Sequence, residues 1–311
     1  MLPVVLTVLL RVFASSSAAP QTTLPPGHQL IVCGAEELYI LDASTPTPTK
    51  VWSWRAANRP ELPEDMRKRF QTIDECKPVD GGKRILITAS SNGAAVLERA
   101  TGRVEFYALS MNAHSIELLP GNRVVVAASH VTTGPGDRLS VYDLARPNVE
   151  VFHVDTPWPH AVVWDEARKT LWADSQVDVV GYSLADWDTA TPRFGRDVVV
   201  TLPDNNGHDM MPVPGSSLMT LTAQNHTWLF DRDTRAFQRH PELGEYPGVK
   251  SVHVHPQSTR AVWILSEGGN WWSDKLRFLN PEGIVQLPGE KIYKARWMPT
   301  PAASAAWSTS R

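Results

Sequence analysis

Short β-branched runs, separated by Gly, Pro, Asn and Asp, occupy most of the chain, and helical periodicity is almost absent. Runs bounded in this way predict strands and tight turns rather than helices. The runs repeat. Gly121-Asn122-Arg123 leads into VVVAAS and then, past a polar loop, into Leu139-Ser140-Val141-Tyr142-Asp143. Asp80-Gly81-Gly82-Lys83-Arg84 leads into ILITAS and Ala94-Ala95-Val96-Leu97-Glu98, and the same pairing recurs after Asp165, Pro214 and His255.

One further strand stands in front of each pair: TIDECKPV, HSIELLP, HAVVWD, HDMMPVP, KSVHVHP and KARWMP. Aligned on the lysine or histidine that each carries, the anchors are Lys77, His114, His160, His208, Lys250 and Lys294. Their spacings are 37, 46, 48, 42 and 44 residues, the period of a four-stranded propeller blade. The expected fold is an all-β, six-bladed β-propeller with its innermost strands lining a central channel. The last anchor has almost no chain after it, so its blade must be completed by residues 29–32 and 38–42. That composite blade removes the free sheet edge. On this reading the anchors ring one mouth of the channel, and residues 24–300 form a single propeller domain. Residues 55–73 are charged and helix-compatible, either a cap on one face or a solvated loop. The Ala/Ser-rich tail at 301–311 is expected to be disordered.

Composition narrows the partners. Net charge is −3 and the pI about 6.4, which provides no global field for nucleic acid or an anionic membrane. Residues 1–19 are read as a secretory signal peptide: Leu2 to Phe13 is apolar apart from Arg11, and Ser16-Ser17-Ala18-Ala19 supplies small residues for cleavage. The apolar stretch is too short to span a bilayer. A monomer in the secretory-pathway lumen or outside the cell is the expectation. That compartment permits a single Cys33–Cys76 disulfide, the alternative being two buried free thiols. Asn225-His226-Thr227 is a candidate N-glycosylation acceptor.

Candidate chemistry centres on the anchors. His114, His160 and His208 are candidate acid–base groups, since histidine titrates near neutrality. Lys77, Lys250 and Lys294, with Arg296 two residues further along the same strand face, are candidate substrate-binding cations. The alternative is structural: anchors that tie blades together by hydrogen bonds. Asp74, Glu75, Glu117 and Asp209, close to anchors in sequence, are positioned to compensate part of the charge. His253, an odd number of residues from Lys250, belongs on the other strand face. Three histidines from three blades make a facial zinc or manganese site conceivable. Three neighbouring lysines oppose a dication, however, and no ligand pair seeds the site, so no metal and no cofactor is expected. Of the 12 tryptophans, Trp164, Trp172, Trp228, Trp263 and Trp297 fall in strands and read as core. Trp54 with Trp52, Trp158, and Trp272 with Trp271, in or beside loops, are candidate walls for an apolar or sugar-stacking pocket. No phosphate-cradling glycine loop, GxSxG motif or partnered cysteine nucleophile is present.

Several strings resemble an uncharacterised family of secreted, mainly bacterial, six-bladed propellers: WSW at 52–54, HSIELLPGNRVVVAAS, PHAVVWD followed by LWA, GHDMMPVPG, GVKSV and YKARW. That resemblance implies the fold and lends no catalytic residues. The Ala/Ser/Pro-rich leader and sequon look fungal. At the level of fold and composition the chain is similar to the fungal hetero-Diels–Alderases of tropolonic sesquiterpenoid pathways. Three functions follow as expectations. The first is a cofactor-free cyclase that joins a tropolone-derived quinone methide to a terpene alkene. The second is a polysaccharide lyase acting on uronate-containing glycans, and the third a non-catalytic propeller that binds a small molecule or oligosaccharide.

Overall fold

The computed structural model describes residues 22–25 and 27–299. The leader at 1–19 and the tail at 301–311 lie outside the described residues. Among those residues the strands form six four-stranded antiparallel sheets, arranged as a six-bladed propeller. Blade I joins Lys294–Trp297 to Gln29–Cys33, Glu37–Asp42 and Thr49–Arg55. The inner strands of blades II to VI are Ile73–Val79, Ala113–Leu119, Val162–Asp165, Asp209–Pro212 and Val249–Val254. They touch in cyclic order, so blades I and IV face each other across the channel. The composite blade closes in the register Leu30↔Trp297 to Cys33↔Lys294, which places Lys294–Trp297 at the axis and Gln29–Cys33 outside it.

Continuous apolar runs follow from this geometry, because both faces of a blade are covered by neighbours. In Arg123–Ala128, Val124 and Val126 pack towards blade II, while Val125 and Ala127 pack towards blade IV. Residues 56–72 form a cap. A 3-10 turn (Ala56–Asn58) and a short helix (Glu64–Arg67) direct Leu62, Met66 and Phe70 into the core between blades I and II. Trp54 belongs to the same core. It is 1% exposed, its indole N–H donates to the Gly102 carbonyl at 3.0 Å, and its ring meets Phe70 edge-on. The expectation that Trp54 walls a pocket is therefore corrected: the N–H needs a buried acceptor, and the space between two blades supplies one.

The expected Cys33–Cys76 disulfide is also absent. Both are buried free thiols that interact side by side, and each Sγ also points at the Lys294 carbonyl, at 3.7 and 3.9 Å. Among the described residues no helix is long and apolar enough to cross a membrane.

At the axis the blades are joined by charge. Arg296 is fully buried and donates to Glu75 of blade II through Nε and Nη2, both at 3.0 Å. It also donates to Asp209 of blade V through Nη1 at 2.7 Å and Nη2 at 2.5 Å. Lys294, equally buried, lies 3.3 Å from a carboxylate oxygen of each and donates to the His114 carbonyl of blade III. Two cations thus meet two anions, and four blades are tied together. Burial opposes the charge on Glu75, but Arg296, Lys294 and Lys77 overcome it and hold the carboxyl well below its usual range. Breaking a buried pair from one side strands a charge and typically costs about 3–5 kcal/mol. Arg296→Met is expected to lower the unfolding free energy by that amount in a urea titration. Arg193→Met, which removes an exposed partner of Asp186, is expected to leave the midpoint unchanged. Equal small shifts in both variants would contradict the assignment.

Candidate functional site

Backbone irregularity decides which residues reach the channel mouth. In three inner strands the pairing skips a residue: Ile73↔Ala89 is followed by Glu75↔Thr88, Ala113↔Ala128 by Ser115↔Ala127, and Val249↔Leu265 by Ser251↔Ile264. The skipped residues are Asp74, His114 and Lys250. A bulge of this kind re-aims one side chain and is common next to functional sites. In the other blades His160, His208 and Tyr293 stand just before the inner strand. The mouth is therefore ringed by Asp74, His114, His160, His208, Lys250 and Tyr293.

Contacts around the ring are close. His114 and His160 have ring centroids 4.3 Å apart, and His160 and His208 are 5.7 Å apart. Lys250 Nζ lies 3.1 Å from His208 Nε2. Asp74 Oδ1 is 3.7 Å from His114 Nδ1, and Tyr293 lies 6.3 Å from His114 between ring centroids. Four of the six expected anchors thus belong to the ring, and two do not. Lys77 sits deeper, donating to the carbonyls of Ile116 and Val162 and pairing with Glu117 at 2.9 Å. Lys294 lies one residue below Tyr293, in the ion-pair lattice with Arg296. Aligning the repeats on basic residues ignores the bulges, and so places an inner-layer lysine where blade II presents Asp74. Asp74, Glu75, Glu117 and Asp209 do sit beside basic groups, as their sequence positions suggest. His253 turns to blade I, away from the contact that Lys250 makes with His208 of blade V. Its Nδ1 accepts the Trp297 backbone N–H at 2.9 Å.

Charge sorts itself by depth. Lys77, Lys294 and Arg296 are each matched by carboxylates. Lys250 has no carboxylate within ion-pair distance among the described residues, and burial lowers its pKa to about 8. The histidines are neutral. Burial takes His160 down to about 4, with Lys294 and Lys250 pushing the same way. Burial also takes His114 and His208 well below their usual value, helped by the neighbouring histidines and lysines. His160 Nδ1 faces the Trp158 carbonyl at 3.0 Å. Because a carbonyl only accepts, the proton sits on Nδ1 and Nε2 is left as the basic nitrogen. His208 Nε2 accepts from the Lys250 ammonium, so its proton is also on Nδ1. His114 Nδ1 is buried with Asp74 Oδ1 just beyond hydrogen-bond distance, and Gln224 is the side chain that interacts with His208. Opposite this basic side, burial raises Asp74 to about 7 and Tyr293 well above the ordinary phenol value.

Two tryptophans flank the ring. Trp158 precedes blade IV and is 36% exposed, with φ of 50°. Trp271 is 41% exposed and meets Tyr293 edge-on at 5.7 Å. Trp272, expected with Trp271 as a wall, is half-buried under Lys291. Asn225 is exposed in the loop at 223–226, its amide donating to Asp204 at 3.0 Å. Among the described residues no three His, Cys, Asp or Glu side chains are grouped to hold a metal ion. The ring histidines lie against one another, tilted 31° and 84°, rather than converging on a point.

Asp174, which the sequence did not single out, supports the base. Its Oδ1 accepts the backbone N–H groups of His160 and Ala161 at 2.7 and 2.6 Å, while Oδ2 has no partner. Burial, partly offset by those two bonds, raises its pKa to about 7. A carboxyl with a raised native pKa binds its proton more tightly when folded, so its ionisation destabilises the protein as pH climbs through about 7. Asp174→Asn keeps the accepting oxygen. It is expected to melt several degrees above the parent at about pH 8, with the difference gone by about pH 4. A difference that is constant across this range would contradict the role.

No curated protein matches the chain. Residues 24–306 match the model of DUF6528, a family of unknown function, and the chain belongs to that family.

Proposed function

We propose that the channel mouth is a cofactor-free elimination site acting on uronate-containing glycans. The observation that carries this reading is the pairing of Lys250, the ring cation without a carboxylate, with the neutral, tautomer-fixed His160. Elimination next to a carboxylate needs a cation to receive negative charge, a base for the α-proton and an acid for the leaving oxygen. Lys250 holds the substrate carboxylate. His160 Nε2 takes the proton from C5, and the C5–H electron pair passes through the enolate. That pair then forms the C4=C5 double bond as the C4–O glycosidic bond breaks. The leaving oxygen is protonated from the Asp74–Tyr293 side, across the mouth from His160. The apolar leader supports action outside the cytosol, and Asn225 is then open to glycosylation.

A cyclase joining a quinone methide to a terpene is the second reading, favoured by the exposed indoles of Trp158 and Trp271. It ranks second because the axis beneath the ring is filled by the Glu75–Arg296–Asp209 lattice, which leaves no deep apolar hole for a terpene. Adduct formation from a tropolone alcohol and humulene, above the level in buffer, would move it to first place.

Uronans incubated with the protein are expected to yield an unsaturated product with new ultraviolet absorbance. The rate should follow a bell that rises at about pH 4, where His160 loses its proton, and falls between about pH 7 and 8, where Asp74 ionises and Lys250 loses its charge. His160→Ala is expected to lower kcat by about 10²–10⁴-fold, and Lys250→Met by about 10²–10³-fold. A uronan panel that gives no absorbing product rules the elimination out.

A further inference from the structure

The two exposed indoles are placed where the elimination reading leaves room for a longer ligand. Trp158 stands at blade IV, and Trp271 leans on Tyr293 of blade I, the blade across the channel. Trp158 is rigidly presented. Its ring stacks on His130 at 4.6 Å and 6°, its backbone N–H donates to Asp137 at 2.8 Å, and Asp137 also binds His130 Nδ1 at 2.8 Å. A positive φ in a bulky residue is costly and persists only where the surroundings enforce it. Here the enforced conformation also supplies the carbonyl that holds the His160 proton. Trp271 is braced by Tyr293, whose own ring position is fixed by burial. Each indole adjoins a ring member, Trp158 through its carbonyl to His160 and Trp271 through Tyr293, and Lys250 with the neutral histidines completes the same ring. Lys291 adds a second cation on the Trp271 side, 5.6 Å over Trp272.

Resting on the elimination reading, we infer that Trp158 and Trp271 are two sugar-stacking subsites that hold an internal stretch of an acidic polysaccharide across the mouth. The apolar C–H faces of successive pyranose rings pack on the indoles, while the carboxylates meet Lys250 and Lys291. Chain cleavage is therefore internal: the scissile linkage sits over the ring, with sugars on both sides of it.

Binding of galacturonate oligomers to a His160→Ala protein, which leaves the ligand intact, tests this by calorimetry. Affinity is expected to climb from monomer to hexamer. Trp158→Ala and Trp271→Ala should each weaken hexamer binding by about tenfold and leave monomer binding within about twofold, with Trp→Phe restoring part of the loss. A neutral cellulose hexamer is expected to bind at least tenfold more weakly. Melting curves of each variant check that the fold persists, and the Phe variants stand in if an Ala variant fails to fold. Affinity independent of chain length, hexamer binding unmoved by both tryptophan substitutions, no binding at all, or equal binding of the neutral hexamer each overturns the inference. Length-dependent binding without any double-bond product in the unsubstituted protein sinks the elimination alone. Product formation with length-independent binding sinks the subsites alone.

Discussion

Everything at the axis depends on the guanidinium of Arg296 being held between two carboxylates from different blades. A planar group with five N–H donors meets Glu75 and Asp209 through paired hydrogen bonds, a geometry that a lysine cannot reproduce. Desolvating these charges is costly, and the cost is offset only while all partners are present. Arg296 and Lys294 arrive on the last strand of the chain, whereas Glu75 and Asp209 belong to blades II and V. The lattice is therefore complete only when the ring has closed. Hydrophobic packing between blades supplies most of the burial, and the lattice adds a match of charge at the axis.

The same lattice decides what the mouth can do. It consumes Arg296 and Lys294, and Glu117 consumes Lys77, so three of the basic groups near the axis are neutralised from within. What remains at the mouth without such a partner is one lysine, three uncharged histidines and a protonatable acid side made of the buried Asp74 and Tyr293. Burial acts in opposite directions on the two sides, lowering the histidines and Lys250 while raising Asp74 and Tyr293. A base that stays unprotonated at neutral pH and an acid side that holds its proton thus share one rim.

The fold was largely legible in the sequence, because a strand covered on both faces leaves a continuous apolar signature and the repeat marks each turn. Closure by residues 29–32 and 38–42 was legible for the same reason. Ring membership was legible only in part. His114, His160, His208 and Lys250 stand out by type, but one-residue bulges at Asp74, His114 and Lys250 leave no mark in residue type. The bulge in blade II hid Asp74 and promoted Lys77, while in blade I the basic type of Lys294 drew attention from its neighbour Tyr293. Trp54 misled because a loop-like WSW string is buried by the cap at residues 56–72. The free thiols of Cys33 and Cys76 show the limit of compartment arguments: adjacency in the fold does not make a bond.

The most direct test of this account is an NMR titration of lysine Nζ signals with galacturonate oligomers in protein labelled with ¹⁵N-lysine. Lys250 is expected to shift with saturation and, without ligand, to titrate near pH 8, while ligand leaves the Lys77 and Lys294 signals in place. A shift at Lys77 or Lys294 with Lys250 unmoved would contradict it, because the ligand would then be answering the lattice and not the ring.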